Sequence, residues 1–110
     1  MTKGDTMILE ERTYTIIPGQ VKDYLDMYEK EGKPIHWKYL GTPIGWFVSE
    51  TGVINQVVHF WRYESMAERE GKRAALYADP AWNDYRLRAG VRIQHQENRI
   101  LSPVSFSPMK

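Results

Sequence analysis

The stretch MILEERTYTI, residues 7–16, followed by Pro18–Gly19, determines how this chain folds. Within it Glu10, Arg12 and Tyr14 recur with a period of two and therefore share one face of a predicted strand. Charged side chains on a sheet face need water, a partner or a ligand, so this row is the first candidate for a functional site. Pro18–Gly19 predicts a turn out of the strand.

The segment after this turn predicts an amphipathic helix. Apolar residues at helical spacing begin at Val21, and the same phase continues through Gly32 and Ile35 to Tyr39. We expect a kink near Gly32 and Pro34, because glycine and proline disturb a helix. Gly32 would let the helix lie close on the sheet.

The middle and the end of the chain predict three further strands. Residues 42–51 and 53–63 are rich in β-branched and aromatic residues, and Thr51–Gly52 between them predicts a hairpin turn. Residues 91–101 predict the last strand. Residues 102–110, which contain two prolines, predict an extended tail.

A second helical region separates the hairpin from the last strand. Ser65 and Glu68 fit a capping box, which predicts the start of a helix. Asp79–Pro80 predicts the end of that helix and the start of a short further helix, which ends at Gly90. Small residues share one face of the first of these helices, which predicts close packing on the sheet: Ala67, Gly71, Ala74, Ala75 and Ala78.

The element order βαββαβ is typical of the ferredoxin-like α+β fold, a four-stranded antiparallel sheet with helices on one face. We expect one domain over residues 7–110, preceded by a flexible leader at residues 1–6. Apolar residues on both faces of the strands would leave a large patch exposed. Face-to-face pairing of two sheets in a homodimer would cover that patch and enclose a cavity between them.

Composition narrows the classes of partner. Lys plus Arg is 15 against 14 Asp plus Glu, and a net charge of +1 gives little attraction to nucleic acid or anionic membranes. The chain has no cysteine, which excludes disulfides and thiolate chemistry. Without an apolar run long enough for a signal peptide or a membrane span, we expect a cytoplasmic protein with no membrane partner.

Several stretches resemble one protein family. Residues 8–15 (ILEERTYT) with Pro18–Gly19, residues 55–63 (NQVVHFWRY) and residues 96–101 (QENRIL) are similar to the NIPSNAP family, as is DPAW at residues 79–82. The resemblance covers nearly the whole chain apart from the leader. It implies the dimeric α+β barrel fold, whose superfamily includes cofactor-independent monooxygenases and haem-degrading enzymes. It implies no catalytic mechanism.

The candidate ligand-binding residues come from strands that the ferredoxin-like order 4-1-3-2 brings together. Arg12 could supply a bidentate fork and His59 a titratable group for an anionic or phenolic ligand. The alternative is that Glu10 or Glu97 neutralises Arg12 and that His59 is a core residue. The full candidate set is Arg12, Tyr14, Asn55, His59, Trp61, Glu97 and Arg99.

Metal, haem and RNA binding find little support in the sequence. His36, His59 and His95 lie on different predicted elements without metal-ligand spacing, so we expect no metal and no cofactor. Residues 45–48 are similar to an RNA-binding motif but fall on the wrong strand. Two hypotheses remain: a homodimer with a small-molecule cavity, such as a cofactor-independent oxygenase-like enzyme, and a non-catalytic interaction or scaffold protein.

Overall fold

The computed structural model describes residues 7–110, in which four strands form one antiparallel sheet of order β2-β3-β1-β4. This confirms the predicted strand order and the α+β fold class. The predicted leader, residues 1–6, lies outside the described residues. The strands are β1 (Ile8–Ile16), β2 (Gly45–Val48), β3 (Gln56–Tyr63) and β4 (Ile93–Leu101).

Helices cover one face of the sheet. Alternate residues of β3 on that face are buried, and the opposite parity is half-buried or exposed. The helices are α1 (Val21–Met27), a π-helical turn (Tyr28–Gly32), α2 (Lys33–Leu40), α3 (Met66–Tyr77) and α4 (Pro80–Gly90). Among residues 7–110, these helices are too short or too polar to serve as membrane spans.

Strand register decides which side chains share the helix-covered face. Arg12 stands opposite His59 on β3 and opposite Asn98 on β4. Directly opposed residues of an antiparallel pair lie on the same face. The row of Glu10, Arg12 and Tyr14 therefore lies under the helices. Because the chain's own helices cover this row, it lies outside the cavity that face-to-face pairing of two sheets would enclose.

The first helical segment departs from the predicted phase. A π-helical turn lies between α1 and α2, where the sequence predicted a kink. Its wider turn changes the register, so the buried positions recur every four residues at Tyr24, Tyr28, Gly32, His36 and Leu40. The expected continuation through Ile35 and Tyr39 is wrong, because both residues are only half-buried.

Gly32 permits a close approach, but to α4 and not to the sheet. A Cβ atom built on Gly32 would lie 2.5 Å from Cζ of Tyr85. The ring of Tyr85 therefore occupies the space that any other residue would need at position 32. The contact sets the distance between the π-helical turn and α4.

The predicted helix caps are confirmed. Ser65 Oγ accepts a hydrogen bond from the amide of Glu68 at 3.1 Å, while Glu68 Oε2 accepts one from the amide of Glu64 at 2.6 Å. Asp79 Oδ1 accepts a bond from the amide of Ala81 at 2.8 Å at the start of α4. The prediction for the small-residue face of α3 is wrong, since all five of its residues are exposed.

The hairpin strands are shorter than predicted. Residues 49–55 connect β2 to β3 and contain Gly52 with a φ of +78°. Asn55, predicted within the strand, precedes it with a φ of +63°, and its carbonyl accepts a hydrogen bond from the amide of Ile16 at 2.8 Å. Asparagine tolerates this left-handed conformation better than most residues, so the backbone conformation explains why an asparagine stands at position 55.

We predict that Gly32→Ala lowers the free energy of unfolding by about 1–3 kcal/mol, because the added methyl group overlaps the Tyr85 ring. The matched control is Gly71→Ala on α3, where a Cβ atom meets nothing within 4 Å. That control should raise stability by about 0.5–1 kcal/mol through helix propensity. Urea denaturation measures both, and equal stability of the two variants would contradict the proposed contact.

Candidate functional site

A cavity of about 380 Å³ lies between the helix-covered face of the sheet and the helices. Arg12 and Tyr14 contribute to its wall from β1, and β4 supplies polar residues at one side. Most of the remaining wall is aromatic. The lining residues are Arg12, Tyr14, Tyr24, Tyr28, His36, Trp46, Tyr77, Trp82, Tyr85, Arg86, Ala89, Gly90, Ile93, Gln94, His95 and Gln96.

The Glu10 carboxylate, beside this cavity, is fully buried and ionised. Arg69 of α3 donates to both of its oxygens at 3.0 and 2.9 Å, and Asn98 donates to Oε2 at 2.7 Å. Arg12 Nη1 donates to the same Oε2 at 2.9 Å. Burial opposes ionisation, but the bonds from Arg69 and Asn98 and the charge of Arg12 lower the pKa of Glu10 to about 2.

This carboxylate orients Arg12. Besides the bond to Glu10, Arg12 Nε donates to Tyr14 Oη at 3.1 Å. Two of its three guanidinium nitrogens are thus bound, and Nη2 has no protein acceptor among residues 7–110. The arginine is held at two points and keeps donor capacity at the cavity wall.

His59 lies behind the cavity wall and not in it. Its side chain is fully buried, and its ring stacks on Trp46 with the centroids 3.9 Å apart. Burial, with the nearby His36 and Arg12, lowers the pKa of His59 well below its ordinary value. Trp61 Nε1 donates to Nδ1 of this neutral ring at 2.6 Å, so the ring proton is on Nε2.

The predicted partners on β4 lie on the other side of the sheet. Glu97 stands opposite Thr13, and Arg99 stands opposite Glu11, with Arg99 Nε donating to Glu11 Oε1 at 2.6 Å. The prediction that they form one cluster with Arg12 is wrong. Each is one residue away from Asn98 along β4, so their side chains lie on the opposite face of the sheet from Arg12. Trp61 is buried in the core beside His59, and Asn55 lies at the end of β3, outside the lining set.

His36 on α2 lines the cavity, although the sequence does not predict this position. Its Nδ1 lies 2.8 Å from Tyr28 Oη, and its ring stacks on Trp82 at 4.5 Å. Burial, with the charges of Arg73 and Arg12, lowers the pKa of His36 to about 3. The π-helical turn brings this residue inward, and no pattern in the sequence indicated that turn.

At the rim of the cavity, Tyr77 and Arg86 contribute to the lining, and Arg73, outside the lining, contacts the Tyr77 ring. The guanidinium carbons of Arg73 and Arg86 lie 5.3 and 5.2 Å from the centre of the Tyr77 ring. Neither arginine has an ion-pair partner within the described part of the chain. No group of three metal-ligating side chains occurs among residues 7–110.

These features define a class: a ferredoxin-like α+β domain with an aromatic cavity between its sheet and its helices. The NIPSNAP family model matches residues 9–108. The chain therefore belongs to the NIPSNAP family, as the resemblance implied. It is 30% identical over 104 residues to NipSnap homolog 2 of Danio rerio, covering 94% of this chain and 35% of that relative's length.

Solved structures agree with this assignment. A NIPSNAP family protein of Agrobacterium tumefaciens superposes with a TM-score of 0.90 at 41% identity, covering 94% of this chain and 99% of that one. A candidate antibiotic biosynthesis monooxygenase from Caulobacter crescentus superposes with a TM-score of 0.67 at 10% identity, covering 93% of each chain. The second likeness shows a shared fold.

Because His36 and His59 are buried and neutral, we predict that the free energy of unfolding falls in acid, beginning well above pH 4. Below the ordinary histidine pKa of about 6.5, the unfolded chain binds protons on His36 and His59 that the native chain excludes, so stability falls with pH. Each histidine should contribute a slope of about 1.4 kcal/mol per pH unit between pH 6 and 4.5.

Urea denaturation across this pH range measures the slope. His36→Gln should reduce the slope by the share of one histidine, about 1.4 kcal/mol per pH unit. Gln94→Asn, at an exposed position of β4, changes no titratable group and should leave the slope unchanged. A flat profile between pH 6 and 4.5 in the unsubstituted protein would contradict the burial of two neutral rings.

Proposed function

We propose that the cavity under the helices binds a small molecule with an aromatic ring and an anionic oxygen. The observation that carries this proposal is the arginine charge around an aromatic wall. Arg86 at the rim and Arg73 beside it lack ion-pair partners among the described residues, and Arg12 keeps one free nitrogen at the wall. Tyrosine and tryptophan rings supply flat apolar surface for the ring of a ligand.

The local charge balance supports an anion. Glu10 carries one negative charge against the two positive charges of Arg12 and Arg69, so the buried cluster keeps a net positive charge. Three polar groups of lining residues, Trp46 Nε1, Trp82 Nε1 and Tyr85 Oη, are buried without a hydrogen-bond partner in the described chain and can donate. Acceptor oxygens of a carboxylate or phenolate would suit both features.

The geometry supports binding better than proton abstraction. An oxygenase-like reaction that begins by removing a substrate proton needs a base whose pKa lies near the working pH. His36, the histidine deepest in the wall, has its pKa lowered to about 3 and is a weak base. A cofactor-independent oxygenase-like activity therefore stays a further hypothesis for this cavity, supported by the shared fold alone.

We predict that 2-naphthoate raises the melting temperature and binds in calorimetry, whereas 2-naphthalenemethanol, with the same rings and no charge, binds more weakly. Arg86→Gln at the exposed rim should weaken naphthoate binding about two- to fivefold. Arg12→Met should weaken it at least about tenfold, since it removes a charged hydrogen bond.

Arg99→Gln is the matched control, since it removes the same charge from the opposite face of the sheet. Its naphthoate affinity should equal that of the unsubstituted chain. Equal affinity for the acid and the alcohol, or an equal loss in Arg99→Gln and Arg86→Gln, would overturn the proposal. Failure of both compounds to bind would favour the non-catalytic scaffold hypothesis.

We also propose that two copies associate through the open face of the sheet. Helices cover only the other face, and Phe47 on the open face is 56% exposed, with its ring centre 5.9 Å from that of Phe60. Val58 and Phe60 on this face are only half-buried. Symmetric pairing would cover this aromatic surface, although it would not enclose Arg12.

A cytoplasmic location remains a prediction.

We predict that sedimentation velocity gives a dimer at micromolar concentration and that Phe47→Asp gives a monomer, because a charge would be buried in the pairing surface. Leu87→Asp is the control: this residue of α4 is 67% exposed and lies away from the open face. A monomeric unsubstituted protein, or dissociation by Leu87→Asp as well, would contradict pairing through this face.

A further inference from the structure

A second cavity, of about 390 Å³, opens on the other side of the wall that Tyr28 and Trp46 form. It lies between the π-helical turn, the start of α2 and β2. Three aromatic residues line it: Tyr28, Trp37 and Trp46. Its volume falls within the range of small-molecule sites.

A cation of the protein already occupies part of this aromatic surface. Lys33 Nζ lies 4.6 Å from the centre of the Trp37 ring, a cation–π distance. Lys33 also lies four residues after Glu29, but the two form no ion pair in the described chain. The lysine is therefore placed over the ring and not against the carboxylate.

The charges around this cavity differ from those around the first one. Asp26 and Glu29 lie at its edge, and Lys33 is the cation in its lining. Lys22 pairs with Asp26 at 2.6 Å, with both side chains exposed, whereas Glu29 has no ion-pair partner among residues 7–110. The face of the Trp37 ring combined with the unpaired Glu29 carboxylate favours a cation.

We propose that this second cavity binds a small quaternary ammonium compound, which displaces Lys33 from the Trp37 ring. The Trp37 ring offers such a cation the face that Lys33 now covers, and the aromatic wall offers few acceptors: the Tyr28 hydroxyl is already engaged by Trp37 at 3.2 Å and by His36 at 2.8 Å, and indole nitrogens only donate. An ammonium group without N–H bonds gives up no hydrogen bond on that surface, whereas a primary amine could direct only part of its three donors at Glu29.

Choline chloride is the probe, and 3,3-dimethyl-1-butanol, its uncharged isostere, is the matched ligand at equal ionic strength. In ¹H–¹⁵N spectra, choline should shift the indole signals of Trp37 and Trp46 and saturate, while Trp61 and Trp82 report on the intact core. The alcohol should bind more weakly. Trp37→Leu should abolish saturation, with the Trp61 and Trp82 signals showing that the variant is folded.

Lys33→Met tests the displacement without removing an aromatic ring. Loss of the competing lysine should tighten choline binding about two- to fivefold. Lys30→Met, at an exposed position of the π-helical turn, removes the same charge without uncovering a ring and should change the affinity less.

Equal binding of choline and the alcohol, no indole shifts with choline, or equal tightening by Lys33→Met and Lys30→Met would each overturn the proposal. Naphthoate binding in the first cavity is measured separately with its own variants. The failure of one proposal is thus distinguishable from the failure of the other.

Discussion

The arrangement of this domain depends on one buried carboxylate. Glu10 lies under the helices with no access to water, and an ionised group in that position requires compensating donors. They come from three elements: Arg12 on the same strand, Arg69 on α3 and Asn98 on β4. Meeting this requirement ties α3 and the edge strand to β1, and it also holds Arg12 beside the cavity.

The sequence predicted the order of the sheet but not which face of it the helices cover. A period of two shows that Glu10, Arg12 and Tyr14 share a face, yet the same pattern holds whether that face is covered by helices or open. A shift of one residue in strand pairing exchanges the faces. This is why the sequence places Glu97 on the side that Asn98 occupies, whereas it correctly predicts the caps at Ser65 and Asp79, which depend on local hydrogen bonds.

The π-helical turn marks a second limit of sequence reasoning. A regular helical phase predicted Ile35 and Tyr39 as buried positions, whereas one wider turn places His36 and Leu40 there instead. Nothing in residues 28–32 requires that turn locally. It is favoured by tertiary packing, since Gly32 accepts the Tyr85 ring and Tyr28 stacks on Trp46 at 4.0 Å. The candidate site gains a histidine from contacts between residues that are distant in the chain.

The aromatic side chains explain how a small domain can hold two cavities of opposite electrostatic character. Tyr28, Trp46 and His59 form a continuous stack, with ring centres 4.0 and 3.9 Å apart, and the first two line both cavities. Stacking covers both faces of the Trp46 ring, so this ring meets the cavities with its edges and not with its faces. Selectivity then has to come from the charges beyond the rings. Two arginines line one cavity, and two carboxylates and one lysine line the other, so under the two proposals a single aromatic wall would face an anion on one side and a cation on the other.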